Sequence, residues 1–123
     1  SLNDQRHPRF NKKFKDIGSD LPHGESLKNV IDRLKPFWEE YKNNIIQSGG
    51  NHLIVAHSNS LRAIVKILDK LSDKDIVSVN IPTGVPLVYT LDEKLSVARK
   101  EYLISQQELK AKQSIVANQG KAK

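Results

Sequence analysis

The residues best placed to do chemistry are His57, Ser58 and Asn59, a short polar segment between two apolar runs. Residues 53–56, directly before it, form a continuous apolar stretch that predicts a buried parallel strand. After it, apolar residues recur at helical spacing, and Ser60 can cap the predicted helix. Ligands of open α/β sheets bind beyond the carboxyl ends of the strands, and helix amino termini attract anions. The segment therefore predicts an anion site.

The imidazole of His57 gives this predicted site its chemistry. It can hydrogen-bond a phosphoryl oxygen and, when protonated, stabilise the charge that develops during transfer. The alternative is that neighbouring backbone groups satisfy His57 at the end of a strand, and the spacing alone leaves both interpretations open. The other histidines, at positions 7, 23 and 52, indicate surface roles.

Two other kinds of site are disfavoured by the residue types. A serine nucleophile at Ser58 or Ser60 would need the glycines of a nucleophile elbow, and they are absent. A metal site would need closely spaced histidines, cysteines or convergent carboxylates. The chain has no cysteine and no His-x-x-x-His spacing. We therefore expect no metal.

A long amphipathic helix is predicted to begin after Ser26, which can act as its N-cap with Asn29 three residues on. Pro36 lies inside the pattern and predicts a kink or a short break. Gly49 and Gly50 are expected to end the helix. The apolar stripe consists of Leu27, Val30, Ile31, Leu34, Phe37, Trp38, Tyr41 and Ile45.

The second half of the chain mixes short elements. Residues 72–75 resemble a capped helix start, and residues 86–91 and 95–104 predict two strands separated by a turn at 92–93. Residues 105–117 have helical propensity. With the strand and helix around His57, this order predicts an α/β fold.

Composition and charge narrow the class of protein. The chain of 123 residues has a net charge of +6, and part of the excess comes from nine of its 20 basic residues that lie near the two ends. No aromatic residues interleave with these charges, so we expect no nucleic acid partner. No apolar run is long enough to cross a bilayer, and we expect a cytoplasmic protein with no membrane partner. We divide the chain into an irregular loop at 1–24, a domain at 25–104 and a polar tail at 105–123.

Several motifs carry a family resemblance. Residues 56–63, Ala-His-Ser-Asn-Ser-Leu-Arg-Ala, and residues 80–89, Asn-Ile-Pro-Thr-Gly-Val-Pro-Leu-Val-Tyr, are similar to two motifs of cofactor-dependent phosphoglycerate mutases, members of the histidine phosphatase superfamily. Further similar segments are Gly24-Glu25-Ser26-Leu27, Arg33 with Pro36-Phe37-Trp38, and residues 117–123. The resemblance covers essentially the whole chain and matches the carboxyl-terminal half of the family.

The resemblance implies a fold, an activity and roles for three residues. The fold would be part of a three-layer α/β sandwich with a mostly parallel sheet. The activity would be the interconversion of 3- and 2-phosphoglycerate through a phosphohistidine, with 2,3-bisphosphoglycerate as the cofactor. His57 would stabilise the transition state, Ser58 and Asn59 would bind the phosphoglycerate substrate, and the polar tail would cover the site.

Two departures from the family pattern shape the expectation. Ser58 stands where the family normally has glycine, which would strain the serine if the position requires a positive φ. The family's Arg-His-Gly motif, which bears the phosphorylated histidine, has no counterpart here. We therefore expect a chain that is inactive alone and stable only with the missing amino-terminal half or as a homo-oligomer. A phosphatase of the superfamily, or a non-catalytic phosphate-binding or interaction module, is the alternative.

Overall fold

A computed structural model describes residues 24–119 as a mixture of helices and strands. Residues 1–23, which hold nearly all of the predicted loop 1–24, and the last four residues of the predicted tail lie outside the described part. Within it, no helix combines the length and the apolar character needed to span a bilayer. The elements are α1 (Leu27–Ser48), α2 (Ser58–Leu68), a short 3₁₀ helix (Asp75–Ser78), β1 (Leu87–Leu91), β2 (Val97–Tyr102) and α3 (Gln106–Gln119).

The ends of α1 confirm the sequence prediction. Ser26 is the N-cap and its hydroxyl accepts the N–H of Asn29 at 3.2 Å, while the Asn29 side chain accepts the N–H of Ser26 at 3.1 Å. Gly49 ends the helix with φ 59, in the left-handed region that glycine tolerates best. The predicted break at Pro36 does not occur. A proline removes only one backbone N–H from a helix, and one carbonyl therefore loses its hydrogen-bond partner. Pro36 is exposed, so water can hydrogen-bond that carbonyl.

The core is small and lies between α1 and α2. Val30 and Ile31 of α1 pack with Ala63 of α2, which is fully buried, and Leu27 and Leu34 border this cluster. Burial of these apolar side chains fixes the position of α2 against the longer helix.

The strands β1 and β2 form an antiparallel hairpin, as the two apolar runs and the intervening turn predict. The carboxylate of Asp92 accepts the backbone N–H groups of Lys94 and Ser96 at 2.9 and 2.8 Å, which closes the turn. Register runs from Leu87 opposite Tyr102 to Leu91 opposite Val97, with an irregularity near the turn.

One ion pair joins the hairpin to α2. Lys100 of β2 pairs with Asp69, the residue that caps α2, at 2.5 Å. The same ammonium lies 5.4 Å from the ring centroid of Tyr89 on β1. The hydroxyl of Tyr89 is buried and has no hydrogen-bond partner within residues 24–119. This contact anchors the sheet at the far end of α2 from His57.

The prediction of a mostly parallel sheet is wrong for the described residues. Their sheet has two strands, and both are antiparallel. Residues 53–56, predicted as a buried parallel strand, are not assigned to any strand, and Leu53 and Val55 are 87% and 85% exposed. A strand exists only when a neighbour pairs with it, and residues 24–119 supply none to this segment. The architecture is consistent with part of an α/β fold.

Candidate functional site

The first turn of α2 is built around His57. Helix α2 begins at Ser58, three residues earlier than a Ser60 cap would place it, because His57 is the N-cap. Its ring nitrogen Nδ1 accepts the backbone N–H of Asn59 at 3.4 Å. Leu61 makes the first backbone hydrogen bond of the helix, to the carbonyl of His57 at 3.0 Å. The N–H groups of Ser58, Asn59 and Ser60 therefore make no backbone hydrogen bond within the helix.

The tautomer of His57 follows from this contact. A ring nitrogen that accepts an N–H carries no proton, so the neutral ring holds its proton on Nε2. The residue is exposed rather than packed among apolar side chains. The imidazole can therefore donate from Nε2 to an external acceptor while Nδ1 caps the helix.

Ser58 occupies its position without backbone strain. Among residues 24–119, the residues other than glycine with positive φ are Lys70 and Leu95. The helical start therefore accommodates serine where the mutase pattern has glycine. Its hydroxyl adds a donor next to the free amides of the turn.

An open cleft of about 430 Å³ lies beside this turn. Ser58, Asn59 and Arg62 line it from α2, and Asn80 lines it from the segment after the 3₁₀ helix. The remaining lining residues of the described part are apolar: Val77, Val79, Ile81, Val116 and Ala117. His57 directly precedes the lining residues on α2 but is not one of them.

Arg62 links the two polar sides of the cleft. Its Nη2 donates to the carbonyls of Ile76 at 2.7 Å and Val77 at 3.2 Å, and its Nη1 donates to Oδ1 of Asn59 at 3.5 Å. Its Nε is buried and, within residues 24–119, has no partner. The same residues supply no carboxylate to pair with this guanidinium and no acidic side chain to the cleft wall. The lining that the described residues provide is therefore electropositive.

Helix α3 forms another wall of the cleft. Gln113 donates from Nε2 to the carbonyl of Asn80 at 3.4 Å, and Val116 and Ala117 line the cleft one turn later. The predicted polar tail at 105–123 thus contributes a helix to the site. An apolar wall opposite polar donors is a common composition for a small-molecule site.

Sequence reasoning identified one side of this site and missed the other. The structure brings Ser58 and Asn59 together in the cleft wall and places His57 at their helix cap. Arg62 and Asn80 were quoted within motifs but given no role. A signal for Arg62 was present, because residues four apart in a helix share a face, which places Arg62 beside Ser58.

A comparison with known families matches most of the chain. The family model of the histidine phosphatase superfamily (branch 1) matches residues 2–98, well over half of the chain. The chain belongs to the histidine phosphatase superfamily. The match includes the whole of α2 and the first turn that His57 caps.

Membership settles the general class of chemistry. The histidine phosphatase superfamily contains phosphatases and mutases, so the chain derives from phosphoryl-transfer enzymes in general. Among residues 24–119, no group of three or more histidine, cysteine or acidic side chains converges to hold a metal ion. The groups that the described site offers to a phosphate are hydrogen-bond donors and positive charge.

Proposed function

We propose that this chain is the carboxyl-terminal half of a glycolytic phosphoglycerate mutase and forms half of its phosphate site. The observation that carries the proposal is the first turn of α2. There His57 caps the helix, and Ser58 and Asn59 line an electropositive cleft. The mutase branch is favoured over a superfamily phosphatase by the segment 80–89, whose first residues, Asn80 and Ile81, also line that cleft. A glycolytic role carries with it a cytoplasmic location.

Each proposed residue role has a physical basis. The Nε2–H of His57 can donate to a phosphoryl oxygen, and the stabilisation grows as negative charge accumulates on that oxygen during transfer. Ser58 and Asn59 offer side-chain donors, and Ser58 also offers its backbone N–H, to the phosphoglycerate substrate at the positive end of the helix dipole. Arg62 adds a fixed positive charge to the same cleft.

The donor set also fits the cofactor that the mutase branch requires. The free donors around Ser58 and Asn59 and the guanidinium of Arg62 suit a phosphate group of 2,3-bisphosphoglycerate. When bound, this molecule supplies the phosphoryl group that the mutase reaction needs. The 123-residue sequence contains no Arg-His-Gly motif to receive that group. We therefore expect the chain alone to bind phosphate without turnover.

The exposed segment before the site supports a partner. Leu53 and Val55 are both more than four-fifths exposed, in a stretch that leads directly to His57 and pairs with no strand among residues 24–119. An apolar segment of this kind can be completed by pairing with an additional strand. We propose that the missing amino-terminal half, or another copy of this chain, supplies it.

The test is binding of inorganic phosphate and 3-phosphoglycerate to the 123-residue chain, followed through the backbone amide resonances of Ser58 and Asn59. We expect both ligands to shift these resonances and His57→Ala to weaken binding about tenfold, the loss of a hydrogen bond to a charged group. His52→Ala is the matched control. His52 lies at the end of α1, where its Nε2 is 3.0 Å from the carbonyl of Gly49.

Two outcomes would contradict the proposal. One is the absence of any shift at Ser58 and Asn59 at millimolar phosphate. The other is equal weakening by His52→Ala and His57→Ala, which would indicate a general effect on folding. Conversion of 3-phosphoglycerate by the pure chain would overturn the expectation that it is inactive alone. Release of phosphate without conversion would favour the phosphatase alternative.

A further inference from the structure

The guanidinium of Arg62 decides which end of the Asn59 amide faces the cleft. An arginine side chain has five N–H donors and no acceptor, so a neighbouring amide must present its oxygen to it. Nη1 of Arg62 does donate to Oδ1 of Asn59, at 3.5 Å. The NH₂ group of Asn59 is therefore turned away from Arg62 and is left as a donor in the cleft wall.

Arg62 is itself held firmly enough to impose this orientation. Its Nη2 donates to two backbone carbonyls, those of Ile76 at 2.7 Å and Val77 at 3.2 Å. These carbonyls belong to the 3₁₀ helix at Asp75–Ser78, and Ile76 is buried. The guanidinium is thus fixed between α2 and the 3₁₀ helix. Its planar fork loses less side-chain entropy per hydrogen bond than a lysine would.

We infer that Arg62 is a positioning residue of the cleft, which makes Asn59 a hydrogen-bond donor to a bound phosphate by occupying its carbonyl oxygen. This inference rests on the proposed phosphate-binding function. Without Arg62, the amide of Asn59 can rotate and place its oxygen lone pairs towards an anion, which repels it. Arg62 acts through Asn59, and its own buried Nε–H is not accessible to a ligand.

The experiment is a double-mutant cycle in the 123-residue chain with inorganic phosphate as the probe. The variants are Arg62→Lys, Asn59→Ala and the combination. Lysine keeps the positive charge but lacks the fork, so charge and positioning are separated. We expect Arg62→Lys to weaken phosphate binding about tenfold, as Asn59→Ala does, and the double variant to be no weaker than either.

A second measurement does not depend on a ligand. We expect the side-chain NH₂ resonances of Asn59 to have chemical shifts set by the cleft in the parent chain and to move towards those of a freely rotating asparagine side chain in Arg62→Lys. Lys66→Met is the matched control, because Lys66 also lies on α2 and donates to a backbone carbonyl, that of Leu71 at 2.6 Å. It should change neither the affinity nor the resonances of Asn59.

The outcomes separate this inference from the proposed function. If the parent chain binds phosphate and the two single losses simply add, Arg62 does not act through Asn59 and the inference is wrong. If the parent chain does not bind phosphate, the proposed function fails, and the Asn59 resonances still decide whether Arg62 orients that side chain. If Arg62→Lys does not fold, Arg62→Gln takes its place in the same cycle.

Discussion

Val55 and Val65 form a matched pair that tests whether the segment before His57 is exposed while α2 is buried. Val55 lies in the segment before His57 that belongs to no helix or strand and is 85% exposed, whereas Val65 lies on α2 and is 3% exposed. Truncation of either to alanine removes the same two methyl groups. Only the difference in burial should therefore separate the two effects on the free energy of unfolding.

The expected magnitudes follow from that difference. A buried methyl or methylene group is worth about 0.8 kcal/mol, so nearly complete burial of Val65 gives roughly 1.6 kcal/mol before any cavity is counted. The cavity raises the cost of Val65→Ala to about 2 kcal/mol. Val55 has only a small buried fraction, and Val55→Ala should cost about 0.2 kcal/mol by the same scale.

The assay is urea-induced unfolding of both variants at low micromolar concentration, followed by circular dichroism. The midpoint of Val65→Ala should move clearly to lower urea, and that of Val55→Ala should stay near the parent value. A comparable loss at both positions would refute the reasoning, because it would mean that Val55 is already buried. If the parent chain self-associates, the Val55 effect should appear as weaker assembly in sedimentation velocity and grow with protein concentration.

Three further predictions concern the hairpin and the start of α1. Tyr89→Phe should leave stability within about 1 kcal/mol or raise it, because it removes a buried hydroxyl with no partner in the described residues. Burial, together with nearby Asp69, raises the pKa of Tyr89. The stability of the parent chain should therefore fall as the pH rises above 10.0, the ordinary pKa of tyrosine, because the unfolded chain ionises there and the folded chain does not. Tyr89→Phe should reduce that fall in alkaline thermal melts. Lys100→Met should cost about 1 kcal/mol in urea unfolding, because it leaves the mostly buried Asp69 carboxylate unpaired, and an unchanged midpoint would contradict this. The hydrogen bonds from Arg33 lower the pKa of Glu25, so they contribute to stability above pH 4.5, and this contribution is lost as the pH falls through the lowered pKa. Glu25→Gln should therefore make stability depend less on pH in this acid range, measured by thermal melts.

The elements that the sequence predicted well are those whose signals are local. The N-cap at Ser26 and the glycine at position 49 lie within a few residues of the helix ends that they determine. The turn at Asp92 likewise depends on hydrogen bonds that its carboxylate accepts from residues two and four positions later. Such contacts join residues that are close in sequence and do not depend on the rest of the fold, so short-range patterns are sufficient to predict them.

Residues 53–56 show where local patterns are insufficient. Their continuous apolar character predicted a buried strand, and that prediction is wrong for the described residues because pairing and burial depend on strands distant in sequence. The contacts of Arg62 could not be predicted for the same reason. Its partners at Ile76 and Val77 are fourteen and fifteen residues away, and nothing in the helical pattern around Arg62 specifies them.

The N-cap position gives the imidazole of His57 two functions. Its Nδ1 accepts the N–H of Asn59 and so caps α2, while its Nε2–H stays available to a ligand. A phosphate bound in the cleft lined by Ser58, Asn59 and Arg62 can itself accept the N–H of Asn59 and replace the imidazole as the cap of α2. Loss of the contact with the imidazole and gain of the ligand therefore offset each other, and the first turn of the helix can stay intact when phosphate binds.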